Sequence, residues 1–364
     1  MLLCSNPSAQ FKSYQKEIEE AVLAVMRGNS FILGKEVALL EREFAEYIGT
    51  SSAVGVANGT DAIEIALRAL DIGLGDEVIT VSHTAVATIA AIESTGADAV
   101  LVDVEPRYYT LNPNQLEEVF SDKTRAVIAV HLYGQAADLK SIKHFCDRKK
   151  IFLIEDTSQA HGATYLGTRL GNIGDISCFS CYPTKNLGAI GDAGLITTNN
   201  SNFAKKIRAL REYGWNNRVS EYAGRNSRLD EIQAAILRIK LKHLDSDNKK
   251  RHRLAAYYSS ELMNDHITLP LIRLGNESVF HLFVIQVNER QKLLKYLLDN
   301  GIQAGLHYPI PVHLHPAYKD RISVSSDMSI TEGLAHRVIS LPIYPELSMQ
   351  DAEKITNTVK RFFE

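Results

Sequence analysis

Short runs of apolar and β-branched residues alternate with amphipathic stretches between Val54 and about Thr198. This alternation is typical of a parallel β-sheet covered by helices. The apolar runs give six candidate strands, at residues 78–82, 99–103, 126–130, 151–155, 176–181 and 194–198. Between them, residues 60–70 and 139–146 place apolar side chains at helical spacing. The pattern therefore predicts an α/β fold built on a mostly parallel sheet.

The pattern changes after a helix whose apolar face carries Ile232, Ala235, Ile236 and Ile239 and which leads into a charged stretch, residues 243–253. Beyond it come an apolar run, a short helix, a proline-rich segment and a closing helix, at residues 278–287, 293–298, 308–316 and from Ser348. We therefore predict a large domain over residues 1–241 and a small α+β domain over residues 242–364. Residues 14–26 are predicted to form a helix that lies across the large domain.

Composition and charge restrict the partners that the protein is expected to bind. The 364 residues include 40 basic and 43 acidic side chains and carry a formal net charge of −3. Such a balance gives no global attraction to nucleic acid or to an anionic membrane, so a bound anion has to be held locally. No run of 18 apolar residues occurs, and residues 1–10 lack the basic-then-apolar pattern of an export signal. We expect neither a nucleic-acid nor a membrane partner, and a cytoplasmic location.

The cysteines point to no metal site. Cys178 and Cys181 form a CxxC motif, but the residues around them look like a buried strand. Zinc would need a second pair of ligands, which the sequence does not supply.

Ligands of open α/β sheets bind beyond the carboxyl ends of the strands, so the loops after the predicted strands are the candidate positions for functional residues. In the segment from Asn58 to Asp61, Gly59 allows close backbone approach, and the following helix offers free amides to an anion such as phosphate. A simple helix cap by Asn58 or Thr60 is the alternative.

Two further loops carry reactive side chains. Residues 155–162 place Asp156 and Gln159 after a hydrophobic strand, and residues 180–188 place Lys185 between a strand end and a glycine-rich turn. A lysine that faces a carboxylate and a phosphate cradle suits pyridoxal phosphate: the amine forms a Schiff base and the carboxylate keeps the pyridine nitrogen protonated.

With these residues in view, the chain resembles the nucleotide-sugar aminotransferases of the DegT/StrS family. The segments that carry the resemblance are NGTDA (58–62), GDEVI (75–79), EDTSQAHG (155–162), SCYPTKNLG (180–188), GDAG (191–194) and GRNSRL (224–229). The resemblance runs in order from residue 31 to the end of the chain. It implies the aspartate-aminotransferase fold, that is fold type I with a seven-stranded, mostly parallel sheet, a homodimer with shared active sites, and pyridoxal phosphate.

The resemblance also assigns roles. Lys185 corresponds to the Schiff-base lysine and catalytic acid/base, Asp156 to the partner of the pyridine nitrogen, and Gln159 to the residue that hydrogen-bonds the ring hydroxyl. Phosphate ligands are implied at Gly59, Thr60 and Ser180, and at Asn226 of the partner subunit. For His161, packing near the ring and direct contact both stay open.

The chain departs from the family pattern at Ala85, where many members carry an aromatic residue that stacks on the cofactor. Alanine cannot stack. His83 is a substitute platform, and the alternative is that His83 is a loop residue without cofactor contact.

A fourth loop, residues 307–315, resembles the sugar-facing loop of the family. His307, Tyr308, His313 and His315 are therefore candidates for substrate contact, and so is Tyr182 beside the lysine. His313 and His315 alone would suggest a metal, but no nearby carboxylate or cysteine completes a site, and none is predicted.

The resemblance implies transfer of an amino group from L-glutamate to a nucleotide-linked keto-6-deoxyhexose. Within the family the chain looks most like enzymes that convert a dTDP-3-keto-6-deoxyhexose into a dTDP-3-amino-3,6-dideoxyhexose. Amination at C4 of a 4-keto sugar is the alternative within the class. A sugar dehydratase and a regulatory relative without catalysis are further alternatives, and Lys185, Asp156 and Gln159 together argue against the last.

Overall fold

The chain forms twelve α-helices, three short 3-10 helices and fifteen strands in a computed structural model that covers residues 1–364. The helices are α1 (Pro7–Ser13), α2 (Gln15–Met26), α3 (Lys35–Ile48), α4 (Gly59–Ala69), α5 (Val86–Thr95), α6 (Leu116–Val119), α7 (Leu139–Lys149), α8 (Ser201–Leu210), α9 (Glu231–Glu261), α10 (Arg290–Asp299), α11 (Ser329–Arg337) and α12 (Met349–Phe363). The strands are β1 (Ser52–Val56), β2 (Glu77–Val81), β3 (Asp98–Val102), β4 (Thr124–Val130), β5 (Phe152–Asp156), β6 (Thr164–Tyr165), β7 (Thr168–Arg169), β8 (Ile176–Ser180), β9 (Gly194–Thr198), β10 (Trp215–Asn216), β11 (Val219–Ser220), β12 (Asn276–Glu277), β13 (Phe283–Gln286), β14 (Ser323–Val324) and β15 (Val338–Leu341). No helix is long and apolar enough to cross a membrane.

The central sheet has eight strands in the order β1-β9-β8-β5-β4-β2-β3-β14. Strand β9 runs antiparallel to both of its neighbours, and all other neighbouring strands of this sheet are parallel. The predicted mostly parallel α/β sheet is therefore confirmed. Seven strands were expected; the eighth is β14, a two-residue edge strand that pairs with β3. The prediction of six individual strands missed β1, whose run Ser52–Val56 is short and interrupted by Gly55.

The sheet is buried on both faces, as parallel sheets in α/β proteins are. Every residue from Ala126 to Val130 of β4 is buried, and helix α4 is buried along almost its whole length against β8 and α5. In the register of the parallel strands, Val130 lies opposite Asp156, and Asp156 lies opposite Cys178. The carboxyl ends of β4, β5 and β8 therefore meet at one edge of the sheet.

Helix α9 links the sheet to the C-terminal part of the chain. Its residues Leu241 and Leu244 pack with the core beneath β9, whereas Leu254 and Tyr258 pack with a second core. That second core joins the antiparallel pair β13 and β15 to α10 and α12. The boundary predicted after Leu241 falls inside this continuous helix, and the division into residues 1–241 and 242–364 stays a prediction.

The amino-terminal segment forms two helices, α1 and α2, that are separated at Tyr14. Helix α2 packs along α9. The hydroxyl of Tyr14 donates a hydrogen bond of 2.8 Å to Asp247, and its ring stacks on His243 with ring centroids 4.1 Å apart. The N-terminal helix of the prediction is therefore present, and α9 is the element that it covers.

Candidate active site

A cavity of about 550 Å³ opens at the carboxyl ends of the parallel strands. Nine of the residues predicted for the site line this cavity together, and they are Gly59, Thr60, Asp156, Gln159, Ser180, Tyr182, Lys185, His307 and Tyr308. The rule that ligands lie beyond strand ends and the position of this cavity therefore point to the same edge of the sheet.

The first wall of the cavity is the amino terminus of α4. Asn58 caps this helix by accepting a hydrogen bond of 2.8 Å from the amide of Asp61, which leaves the amides of Gly59 and Thr60 without an acceptor in the chain. A Cβ atom on Gly59 would lie 2.5 Å from Cβ of Ser180. Only glycine therefore lets the helix end approach Ser180, so that backbone amides and a hydroxyl face the same space. Asn58 can therefore cap the helix while the amides of Gly59 and Thr60 bind an anion, because the cap uses only the amide of Asp61.

Asp156 ends β5 and faces the cavity with its carboxylate held on both sides. Its Oδ2 atom accepts a hydrogen bond of 3.0 Å from Thr88 Oγ1, and its Oδ1 atom accepts one of 3.2 Å from the amide of Ser158. Each carboxylate oxygen can accept more than one hydrogen bond, so the group retains capacity for a cationic N–H donor from the cavity.

Lys185 follows β8 and lines the cavity, and its amine has no hydrogen-bond partner in the chain. Burial lowers the pKa of Lys185 to about 8, although the negative charge of Asp156 acts in the opposite direction. The neutral amine, which a nucleophile or base requires, is therefore far more populated near physiological pH than in an ordinary lysine.

Gln159 has an amide whose orientation is fixed. The backbone amide of Tyr133 donates a hydrogen bond of 2.9 Å to Gln159 Oε1, so Nε2 is the atom that faces Tyr308 and donates to its hydroxyl at 3.1 Å. Because the Tyr308 oxygen accepts this bond, its own proton is free to be donated into the cavity. Burial raises the pKa of Tyr308 to about 12, which keeps that proton in place.

The structure places His83 outside the cavity wall, whereas Ala85 lines the cavity. The His83 ring is buried, meets the Tyr133 ring edge-on at 5.9 Å between centroids, and contacts the Tyr133 hydroxyl through Nε2 at 2.7 Å. This arrangement commits the ring to Tyr133 and does not support the expectation that His83 replaces the missing aromatic platform. It favours the alternative, a loop residue without cofactor contact.

The fourth loop reaches the cavity only in part. His307 and Tyr308 line it, but His313 and His315 do not. The amide of His313 donates to Ser82 Oγ at 3.2 Å, and the same hydroxyl contacts His313 Nδ1 at 2.7 Å. His315 Nε2 donates to the carbonyl of Ile310 at 3.2 Å. Both rings thus bind within the chain, and this geometry does not support their predicted substrate contact.

Asn226 also lies outside the cavity of its own chain. It is exposed, and its backbone pairs with that of Glu212 in an isolated β-bridge. Its predicted role requires the cavity of a second subunit and stays a prediction.

Several residues of the site escaped the sequence analysis. Thr88 and His281 line the cavity. Tyr133 does not line it, but its backbone amide orients Gln159 through a hydrogen bond. Tyr133 follows the end of β4, so the search beyond strand ends could have found it. His281 had no such signal, because it sits inside an apolar run that reads as a strand.

Two other polar residues of the 155–162 segment, Glu155 and His161, are buried within the protein and do not line the cavity. Glu155 accepts hydrogen bonds from the amides of residues 171, 173 and 174 and from Ser177 and His131. Burial alone would raise the pKa of Glu155, but the hydrogen bond and charge of His131 and the loop amides lower it to about 2. His161 is fully buried against Phe179 and does not line the cavity, which favours packing over direct contact.

These residues fit pyridoxal phosphate. Gly59, Thr60 and Ser180 offer two free amides and two hydroxyls to a phosphate, Asp156 offers a carboxylate to a protonated ring nitrogen, Gln159 offers a directed N–H, and Lys185 offers an unpartnered amine with a lowered pKa. The donor set matches each polar part of the cofactor.

Comparison with known proteins gives consistent results. The model of the DegT/DnrJ/EryC1/StrS aminotransferase family matches residues 12–360. A dTDP-3-amino-3,6-dideoxy-alpha-D-galactopyranose transaminase of Aneurinibacillus thermoaerophilus is 45% identical over 96% of each chain. A dTDP-3-amino-3,4,6-trideoxy-alpha-D-glucose transaminase of Streptomyces venezuelae is 41% identical over 98% of this chain and 94% of its own. Among solved structures, S. venezuelae DesV in complex with a ketimine intermediate superposes with a TM-score of 0.97 at 40% identity, covering 100% of this chain and 98% of that one.

Proposed function

Because this chain belongs to the DegT/DnrJ/EryC1/StrS aminotransferase family, we propose that it transfers an amino group from L-glutamate to a dTDP-3-keto-6-deoxyhexose, giving a dTDP-3-amino-3,6-dideoxyhexose. The enzyme is a pyridoxal-phosphate-dependent nucleotide-sugar aminotransferase with fold type I. The observation that carries the proposal is the meeting of Lys185, Asp156 and the α4 amino terminus around one cavity.

The choice of carbon rests on the relatives. Both transaminases described above are named for 3-amino sugars linked to dTDP, whereas their sugars differ in the groups at C4. Amination at C3 and a thymidine nucleotide are therefore favoured over the C4 alternative. A dehydratase and a regulatory protein are not favoured either, because the family match is to aminotransferases and Lys185 is present.

Different residues of the site would bind the cofactor and transfer protons. Pyridoxal phosphate, when bound, supplies an aldehyde that carries the amino group and a ring that delocalises negative charge. The α4 amino terminus and Ser180 hold the phosphate, and Asp156 holds the proton on the ring nitrogen. Lys185 would take the proton from the donor's α carbon and pass it to the cofactor carbon, and in the second half it would take a proton back from that carbon and deliver it to the sugar carbon.

Tyr308 and His307 have the geometry to meet the sugar. Tyr308 presents a directed O–H, because its oxygen is already occupied by Gln159. Tyr182 is exposed at the cavity wall, where it can contact the sugar or a phosphate of the nucleotide. We assign these three residues to substrate binding.

We further propose that the working unit is a homodimer whose sites are shared. The exposed position of Asn226, outside its own cavity, supports the idea that it serves the phosphate in the other subunit. Exposed aromatic side chains surround the same region, at Tyr213, Trp215 and Tyr222. Large exposed apolar groups of this kind are typical of subunit contacts. We propose a cytoplasmic location, which is supported by four cysteines that are all free, three of them buried.

Product analysis tests the proposed reaction. The purified protein, loaded with pyridoxal phosphate, is incubated with L-glutamate and with 3-keto or 4-keto sugars linked to dTDP or UDP, and products are identified by mass spectrometry and NMR. We expect an amino group on C3 of the dTDP-linked sugar. Exclusive conversion of the 4-keto sugars would refute the proposed carbon, and exclusive conversion of UDP-linked sugars would refute the nucleotide. A Lys185→Ala variant is the control for turnover at this site.

A further inference from the structure

The residue that follows the active-site lysine anchors a buried polar network. Asn186 Nδ2 donates to the carbonyl of Val279 at 3.1 Å and to Asn248 Oδ1 at 2.9 Å. A carbonyl oxygen can only accept, so the nitrogen of the Asn186 amide must point to Val279. Asn248 is oriented in the same way, because its Nδ2 donates to the carbonyl of His161 at 2.9 Å. Both amide orientations are therefore fixed by backbone carbonyls.

This fixed amide determines the tautomer of His281. With its nitrogen committed, Asn186 presents Oδ1 to His281 Nδ1 at 3.1 Å. An amide oxygen cannot donate, so Nδ1 of His281 carries the proton and Nε2 carries the lone pair. Burial lowers the pKa of His281 well below its usual value, with further lowering by the charges of Lys185 and Arg251, so the ring stays neutral. His281 is thus a hydrogen-bond acceptor of fixed orientation.

His281 lines the cavity together with Lys185, and its Nε2 atom has no hydrogen-bond partner in the chain. The Lys185 amine also lacks a partner. One unused donor and one unused acceptor therefore belong to residues that line the same cavity. A neutral amine has two N–H bonds and one lone pair, so holding one N–H on an acceptor confines the lone pair to the two remaining positions on the nitrogen.

We propose that His281 is a positioning residue that accepts a hydrogen bond from the Lys185 amine through Nε2 and thereby aims the amine's lone pair at the carbon that gives up its proton. In that step the C–H bond of the donor breaks, its electrons stay with the carbon and delocalise into the cofactor ring, and the proton moves to Lys185 Nζ. The inference deepens the proposed function and rests on it for the amino donor.

Two other imidazoles lie near Lys185 but differ from His281. The Nδ1 atom of His307 contacts the Ser340 hydroxyl at 2.8 Å, and a hydroxyl can donate or accept, so that contact does not fix the His307 tautomer. The ring nitrogens of His161 have no partners, and this ring does not line the cavity. His281 alone of the three combines a fixed acceptor with exposure to the cavity.

Two substitutions separate the acceptor from the structural anchor. His281→Asn keeps a donor near the Nδ1 position for Asn186 and removes the acceptor at Nε2. His281→Gln supplies an amide oxygen near the Nε2 position and loses the anchor to Asn186. A structural role predicts that the glutamine variant suffers more, whereas the proposed role predicts that the asparagine variant does. His252→Asn is the matched control, because His252 contacts the same segment, at the carbonyl of Ser278, outside the cavity.

The rate of the first half-reaction is measured by rapid mixing with L-glutamate and with α-deuterated L-glutamate. We expect His281→Asn to lower the rate at saturating donor by about tenfold or more, with a primary isotope effect, since misdirected reacting groups are costly. We expect His281→Gln to be less impaired and His252→Asn to match the unsubstituted protein. A smaller loss in His281→Asn, a rate no lower than that of His281→Gln, or a loss without an isotope effect would overturn the inference.

The tautomer of His281 can be measured without enzyme turnover. NMR of the cofactor-free protein with ¹⁵N-labelled histidine should show the His281 proton on Nδ1, and a proton on Nε2 would overturn the inference. If the unsubstituted protein did not react with glutamate, the proposed donor would be wrong, and this spectrum would still test whether His281 Nε2 is the acceptor that the inference requires.

Discussion

The hydroxyl of Thr88, on α5, donates a hydrogen bond of 3.0 Å to Oδ2 of Asp156, at the end of β5. The bond joins the helix after β2 to the carboxylate that faces the cavity. Together with the amide of Ser158 it fixes the plane of the carboxylate. Because a hydrogen bond to a charged group contributes about 1.5–3 kcal/mol, this contact holds the carboxylate in one orientation.

The first prediction concerns Asp156. Asp156→Asn should lower turnover by about a hundredfold or more with the fold intact, because a neutral amide cannot hold a proton on the ring nitrogen. Thr88→Val, which removes one hydrogen bond and keeps the charge, should cost far less. Steady-state kinetics measures both, and circular dichroism checks the fold. Equal losses in the two variants would show that the charge of Asp156 is not what matters.

Lys185 gives a prediction about pH. Only the neutral amine attacks an aldehyde, so the rate at which cofactor-free protein captures pyridoxal phosphate should rise with pH and level off above about 8, where burial places the pKa of Lys185. Stopped-flow absorbance measures this rate. Borohydride reduction followed by peptide mass spectrometry should find the cofactor on Lys185, and Lys185→Ala should show no attachment. A rate that levels off only near the ordinary lysine value of 10.5 would contradict the account.

The sequence predicted the sheet, and it predicted that the candidate residues meet at one edge of it, because both depend on local patterns. Strand 194–198 matched β9 at both ends, and the loops at Gly59, Asp156 and Lys185 all met at one cavity. Contacts between distant segments were not predictable in this way. His83 reads as a free loop imidazole until Tyr133, 50 residues away, occupies its Nε2 atom. His281 reads as part of a strand until Asn186, 95 residues away, fixes its tautomer.

Gly59 gives a steric prediction. In Gly59→Ala the new Cβ would lie 2.5 Å from Cβ and 3.0 Å from Cα of Ser180, so the backbone must move and its amides leave the phosphate. We expect the dissociation constant for pyridoxal phosphate to rise about tenfold or more, since that corresponds to about 1.4 kcal/mol, less than one charge-assisted hydrogen bond. Equilibrium dialysis measures it.

The control for this change is Gly333→Ala in α11. There the added Cβ would meet only the flexible end of Arg337, at 3.1 Å. This variant should bind the cofactor normally. An unchanged affinity for pyridoxal phosphate in Gly59→Ala would show that the α4 amino terminus does not bind the phosphate.

The proposed sharing of sites between subunits predicts complementation. Asn226→Ala and Lys185→Ala should each be impaired as homodimers. After mixed refolding, a heterodimer contains one site with both residues intact, so equal amounts should restore about a quarter of the sites of the unsubstituted protein. Activity assays on the mixture, with each variant alone as reference, measure the gain. Activity that never exceeds the average of the two variants would mean that Asn226 does not serve the other subunit.

The central claim is that the cavity around Lys185 and Asp156 carries out amino transfer, and the absorption spectrum of the cofactor-loaded protein tests it most directly. L-glutamate alone should abolish the visible band of the bound cofactor, and the subsequent addition of a dTDP-3-keto-6-deoxyhexose should restore it. A protein that stays colourless with added pyridoxal phosphate, or a visible band that saturating glutamate leaves unchanged, would contradict the account.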